Sequence, residues 1–451
     1  MRAGVIMNVE RRAARSLALV LSLWVLSAAP LFAAEIQEVR SPGGLTAWLV
    51  EEHSIPMLAV EIHFRGGASL DPSGKEGLAN MLSGLLDEGA GEFDSQAFQG
   101  HLEDLAISLS FDAGRDGFTG SLRTLTENTD EAFRLLRLSL MEARFDAEPV
   151  ERIRSQVISG IRSSEQDPGT IVGRTLFKKL FPDHPYGRPA RGTPESVAAI
   201  GVEDLRAFVE RRFAKENLVI GVVGDISAAQ LAALLDQTFA GLPSNPQNGV
   251  AVLEAQATKG GGVEVIRRPI PQSVLMWAMP GIKRSDPDYF AAVLMNRVLG
   301  GGSFTSRLYA EIREKRGLAY SVYSAVVPYE HSGVILGGVG TQNSQLGESL
   351  SLIRAEIDKV AQEGITAEEL DAAKTYTTGA FPLSLDTNAR IANILVTLQV
   401  LDLGIDYLDR RAKLVNQVTL DDVKQVAARL LDIDAMSVVV VGDPVGVDPA
   451  P

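Results

Sequence analysis

The chain has 451 residues, 45% of them hydrophobic and 22% charged, and contains no cysteine. Disordered, collagen-like and disulfide-stapled classes are thereby excluded, as are thiol nucleophiles and thiolate metal sites, so that any metal must be held by His, Asp and Glu. With 43 basic against 57 acidic residues the formal charge is -14, which repels a phosphate backbone, and no basic run offsets it in favour of nucleic-acid binding.

In chain order, residues 1–34 stand apart. Arg11, Arg12 and Arg15 precede an apolar run from Leu17 to Phe32, and Ala33 and Ala34 follow before Glu35. This is the pattern of a secretory signal peptide and predicts a periplasmic protein. An uncleaved membrane anchor is the alternative, because neither Leu31 nor Phe32 supplies a small residue three positions before the cut. No comparable apolar run follows, so no other membrane association is expected. Removing residues 1–34 takes away four arginines and one glutamate, leaving 39 basic and 56 acidic residues and a net charge of -17.

Residues 35–245 form a first half. Leu58, Val60, Ile62 and Phe64 alternate with Ala59, Glu61 and His63, the period of a strand with one buried face, which Gly66 and Gly67 end. From Glu76 to Glu88 the period becomes helical, with Leu78, Leu82 and Leu85 on one face and Asn80, Ser83, Gly84 and Asp87 on another. Helices are predicted around 95–106, 128–142 and 147–165, and a strand near 218–223 closes the half. Residues 246–262, with Pro246, Gly249 and Gly260 to Gly262, read as a linker.

The second half, 263–445, begins on a strand at Val263. A helix over 287–299 runs into Gly300, Gly301 and Gly302, and Ser303 leads into a helix carrying LYAEIREKRG, capped by Gly317. A strand from Leu318 to Tyr323, a Gly-rich strand pair near 333–340 and helices near 344–362 and 366–379 follow. Residues 446–451 are a short tail.

Ile200 to Asp225 (IGVEDLRAFVERRFAKENLVIGVVGD) overlays Val418 to Asp443 (VTLDDVKQVAARLLDIDAMSVVVVGD) at an offset of 218 residues without a gap. In each, an acidic pair opens an amphipathic helix, and a β-branched strand ends in Gly-Asp. A unit recurring at this distance predicts two homologous α/β sandwich halves of the α+β class, each a mostly antiparallel sheet with helices packed on it.

Three segments carry a family likeness: GKEGLANMLSGLLDEGAG (Gly74 to Gly91), HPYGRPARGTPESVAAI (His184 to Ile200) and LGGGSFTSRLYAEIREKRGLAYSVYS (Leu299 to Ser324). In these the chain resembles the pitrilysin or insulinase (M16) family of zinc peptidases, in its bacterial two-domain form, over nearly all of the mature length. Active members carry H-x-x-E-H on the helix after the first hairpin, where two imidazoles one turn apart chelate zinc and the glutamate works on the bound water. The resemblance puts Asn80, Ser83 and Gly84 at those positions and Gly160 at the third ligand, with Glu165 more than a turn further on. His53, His63, His101, His184 and His331 include no pair at i, i+3 or i, i+4. His63 and Glu61 read as a solvated or hydrogen-bonded pair on one strand face, and His184 as structural. No metal or other cofactor is therefore expected in this chain.

In the second half the resemblance implies a functional arginine and a tyrosine seven residues later, here Arg313 and Tyr320. A guanidinium can hold substrate carbonyls, and a phenol can donate to the oxygen that becomes negative in a tetrahedral intermediate. Glu311, Glu314, Lys315 and Arg316 read as an exposed charged helix. Some bacterial members divide the zinc motif and the Arg-Tyr pair between two chains, and this sequence looks like the second kind. The expectation is a non-catalytic, substrate-binding subunit of an exported heteromeric zinc metallopeptidase. It would have no catalytic residues by itself and would take extended peptides in a heterodimer with a zinc-bearing paralogue. The alternative is a structural or peptide-binding scaffold of the same fold with no peptidase output.

Overall fold

Eleven strands and the helices between them build two sheets in the computed structural model, which describes residues 35–246 and 252–447. The signal segment, residues 247–251 of the linker and residues 448–451 of the tail lie outside the described residues. The first sheet holds β1 (Gln37–Arg40), β2 (Thr46–Glu51), β3 (Met57–Arg65), β4 (Ser108–Ala113), β5 (Gly117–Leu125) and β6 (Leu218–Gly224), in the order β1-β2-β6-β3-β5-β4. The second holds β7 (Gly262–Arg267), β8 (Gln272–Pro280), β9 (Ala319–Pro328), β10 (Gly333–Gln342) and β11 (Ser437–Gly442), in the order β7-β11-β8-β10-β9.

Without β1 the two orders are the same, each with one parallel pair, β2 with β6 and β7 with β11. The sequence repeat is thus a repeat of topology. Its Gly-Asp ending has a steric reason. Gly224 and Gly442 sit at φ 143° and 149°, and a Cβ there would lie 2.2 Å from the Met57 carbonyl oxygen or from Ser273 Oγ.

One face of each sheet is covered by helices of its own half. Leu58, Val60, Ile62 and Phe64 join Phe133, Leu136, Leu205 and Phe208 in the first core, where Phe64 stacks on Phe213 at 4.4 Å. The second core gathers Leu275 and Trp277 with Ile353, Val423 and Val426. The opposite faces are covered by exchange. The Pro168–Leu180 helix of the first half lays Val172, Leu176 and Leu180 on Ala278, Val439 and Val441 of the second sheet. The Asn388–Val400 helix of the second half lays Ala392, Leu395 and Leu398 on Trp48, Ala59 and Val223 of the first. Gly221 permits this approach, since a Cβ there would meet the Ala392 carbonyl oxygen at 2.6 Å.

This exchange corrects the expectation of one buried face on β3: Ala59 and Glu61 are buried as well. It also explains why β11 is buried along its whole length and shows no alternation. Other differences are local. The helix expected over 76–88 is confined to Leu78–Ser83; it starts after Gly77 at φ 95°, and the Asp71 carboxylate takes the Gly77 and Ala79 N–H groups at 2.9 and 3.1 Å. The Gly-rich strand pair near 333–340 is one ten-residue strand, β10. Gly337 on it serves packing, because a Cβ there would sit 2.5 Å from the Trp277 ring. Among the described residues no helix is long and apolar enough to cross a membrane.

Candidate functional site

The positions that the family resemblance gives to a metal hold little chemistry. Asn80 and Ser83 lie half-buried on the Leu78–Ser83 helix, and the Ser83 hydroxyl is spent on the Asn80 carbonyl oxygen at 2.9 Å. Gly84 ends that helix, and a Cβ there would lie 3.3 Å from Ile153 of the Ala147–Ser164 helix. Gly160 is exposed on the latter helix with nothing within 4 Å of a Cβ. A hydroxyl, an amide and two glycines offer neither imidazole nor carboxylate, so this donor set does not fit a catalytic zinc.

Nearby acids are engaged elsewhere. Asp87 accepts from Gln99 at 3.2 Å with its carboxyl pushed up by burial, while Glu88 takes both Arg152 and Ser95. Glu165 caps the far end of the Ala147–Ser164 helix.

The histidines are scattered. His53 bonds Asp225 at 2.7 Å and Glu51 at 3.2 Å, which raises its pKa, and His101 bonds Glu131 at 2.7 Å. The His184 Nε2 lies 2.9 Å from the Leu253 carbonyl oxygen, the structural role expected of it. His331 faces Glu254 at 3.6 Å. The expected pairing of His63 with Glu61 is corrected. Glu61 accepts from Ser121 Oγ at 2.6 Å, while His63 packs against Gly117 with its Nε2 unbonded. Burial, and then the Arg65 charge, push the His63 imidazole down to about 4.

Arg313 and Tyr320 are brought together. The chain after Ser306 makes one α-turn, Arg307–Tyr309, and widens into a π-turn over Ala310–Glu314, closed by the Lys315 N–H on the Ala310 carbonyl at 3.0 Å. Gly317 at φ 63° then reverses it, donating to the Arg313 carbonyl at 2.9 Å as the expected cap. On β9 the register slips so that Ser321 faces Gly340 and Ala319 faces Thr341, leaving Tyr320 as the extra residue of a β-bulge. The Thr341 hydroxyl, bonded to the Leu318 carbonyl, pins that bulge. Bulges re-aim side chains, and Tyr320 is 81% exposed.

The Arg313 guanidinium carbon lies 4.4 Å from the Tyr320 ring centre, 4.9 Å from that of Tyr309 and 5.9 Å from that of Phe304. Among the described residues it has no carboxylate within 4.0 Å. The adjacent Glu311 is claimed by Lys315 and by Arg316, the latter at 2.6 Å, and these bonds hold its carboxyl below the usual range. The arrangement therefore leaves a cation on an aromatic frame with N–H groups to spare, beside a phenol free to donate. Sequence reading missed Phe304, Tyr309 and the bulge. The first two were visible as aromatics nine and four residues before Arg313, but nothing in the sequence marks the register slip.

Comparison with known proteins places these observations. The family description "Peptidase M16 inactive domain" matches residues 199–376, a span that holds Arg313 and Tyr320 but neither Asn80 nor Gly160. The chain is 29% identical over 406 residues to the non-peptidase homolog YmxG of Helicobacter pylori, covering 89% of this chain and 91% of that protein. It is 26% identical over 408 residues to an uncharacterized zinc protease of Streptomyces coelicolor, covering 88% and 87%. The crystal structure of a peptidase M16 inactive domain from Pseudomonas fluorescens superposes with a TM-score of 0.85 at 31% identity, over 92% of this chain and 100% of that one.

Proposed function

The chain belongs to the peptidase M16 family, and we propose that within it this protein is the non-catalytic, substrate-binding subunit of an exported heteromeric zinc metallopeptidase. The observation that carries this reading is the asymmetry between the halves. The first half holds a hydroxyl, an amide and two glycines where a metal would need imidazoles and carboxylates, while the second presents Tyr320 outward against a half-buried Arg313, neither side chain hydrogen-bonded or ion-paired among the described residues. The zinc is assigned to a partner chain, a paralogue with an intact motif, and export to the signal pattern of residues 1–34.

In this reading Arg313 grips carbonyl oxygens of an extended peptide, and the Tyr320 hydroxyl donates a hydrogen bond to the oxygen that gains charge as the peptide bond is attacked. The strand β9 that carries Tyr320 is the edge of its sheet, so its outer N–H and C=O groups can pair with an extended peptide. The test is a peptidase assay of this chain alone, of a zinc-bearing paralogue alone and of the mixture. Activity well above the sum of the parts only in the mixture supports the reading. A mixture no more active than the paralogue identifies a scaffold, and zinc-dependent activity of this chain alone overturns the assignment.

A further inference from the structure

The segment His184 to Gly192, HPYGRPARG, plays no part in the Arg313–Tyr320 site, yet its residues from Gly187 to Gly192 wall a cavity of about 520 Å3 in the first half. We propose that this cavity binds an acidic segment of a peptide. Five cations line it: Arg115 from the β4–β5 turn, Arg174 and Lys178 one turn apart on the Pro168–Leu180 helix, and Arg188 and Arg191 from the segment itself.

Three of these are set in place through backbone carbonyls. Arg115 donates to the Tyr186 carbonyl at 2.7 Å with its guanidinium 4.5 Å from the Phe177 ring centre, Arg174 to that of Gly192 at 3.3 Å, and Arg188 to that of Asp71 at 3.2 Å. Tyr186, fully buried and bonded to Asp116 at 2.7 Å, anchors the segment from below.

No carboxylate lines the cavity. Among the described residues only Arg188 has one within 4.0 Å, Glu76 at 3.7 Å, so four cations converge without a counter-ion in a protein of formal charge -14. Their mutual repulsion is relieved when anions enter, and a guanidinium matches a carboxylate fork to fork. The walls between the charges, Ile161, Phe177 and Ala190, are apolar. A bare inorganic anion would leave them uncovered, whereas glutamate and aspartate side chains among aliphatic neighbours satisfy both surfaces, and the volume suits a few residues. The inference rests on the proposed role only in taking the ligand to be a peptide. It adds that the peptide is acidic and is held in the first half as well as at Arg313.

The test is fluorescence anisotropy on the full mature chain alone, with no partner and no turnover, so that failure of the two-chain model leaves it intact. The probe is a labelled peptide in which four glutamates alternate with leucines, its control the same peptide with glutamines, and tripolyphosphate is titrated in parallel. The glutamate peptide should bind at least about 10-fold more tightly than the glutamine peptide. Arg174→Gln with Arg191→Gln should weaken it by about 10-fold or more, and Lys178→Gln, at an exposed position, should weaken it less without risk to folding. Lys413→Gln, an exposed cation of the second half outside both sites, should change nothing.

Equal binding of the two peptides, or glutamate-peptide binding that survives every charge-removing variant, overturns the proposal. So does tripolyphosphate binding with none of the acidic peptide, which would assign the cavity to a polyphosphate anion.

Discussion

Replacing Tyr320 by phenylalanine removes one oxygen from a side chain that is 81% exposed and has no hydrogen-bond partner among the described residues. Folding should therefore change by less than about 0.5 kcal/mol. The ring remains 4.4 Å from the Arg313 guanidinium, so the arginine keeps its frame. If Tyr320 has the proposed role, the lost group is a donor to the developing oxyanion, and turnover of the proposed two-chain enzyme should fall roughly 10- to 1,000-fold, with kcat and kcat/KM falling together. Tyr320→Ala removes the ring too. An exposed cation–π contact is worth about 0.5–1 kcal/mol, so substrate binding should weaken by roughly a further 2- to 5-fold. Arg313→Ala should raise KM as well as lower kcat, and Arg313→Lys, which keeps the charge but loses the planar fork, should fall between it and the wild type. The assay is steady-state kinetics with this chain saturating, after circular dichroism and gel filtration show each variant folded and paired. Unchanged kinetics in both Tyr320→Phe and Arg313→Ala would refute a role at the reacting bond and leave a scaffold.

Three further outcomes are expected of this chain alone. Gly160→Ala, on an exposed turn of the Ala147–Ser164 helix with nothing near its Cβ, should stabilise by about 0.5–1 kcal/mol in urea unfolding; a loss would mean the glycine is needed for something its surroundings do not show. Leu176→Ala, fully buried between one half's helix and the other half's sheet, should cost about 2–5 kcal/mol. Its unfolding should move Trp48 and Trp277 fluorescence together, and separated transitions would refute coupling by exchanged helices. Burial holds the folded His63 pKa at about 4 against 6.5 when unfolded, so its penalty is absent above pH 6.5 and grows as pH falls toward 4, to about 3 kcal/mol. Stability of the wild type should therefore drop more steeply over that range than that of His63→Phe, and parallel curves would show that His63 does not carry the effect.

The sequence by itself determined the elements whose signals are local. The Ile200–Asp225 and Val418–Asp443 repeat announced two halves, and apart from β1 the sheets share one strand order, with the Gly-Asp ending recording a backbone conformation that only glycine takes without strain. Helices with strong periodicity, such as Thr129–Met141 and Leu346–Glu363, lie where their apolar spacing puts them. The residue types at 80, 83, 84 and 160 already excluded a zinc donor set, since chemistry is a property of the side chain and needs no fold.

Tertiary structure alone decided what covers what. The second burial of β3, the all-buried β11 and the helix at Asn388–Val400 follow from helices exchanged between halves, and such an exchange leaves no periodic trace in the strands it covers. Arg313 and Tyr320 could be named from the sequence, but their meeting at 4.4 Å depends on a π-turn, a left-handed Gly317 and a one-residue slip between β9 and β10. The five cations of the basic cavity are spread from Arg115 to Arg191 and look like ordinary surface charges until the fold gathers them. Position in space comes from long-range packing, which no local window of sequence contains.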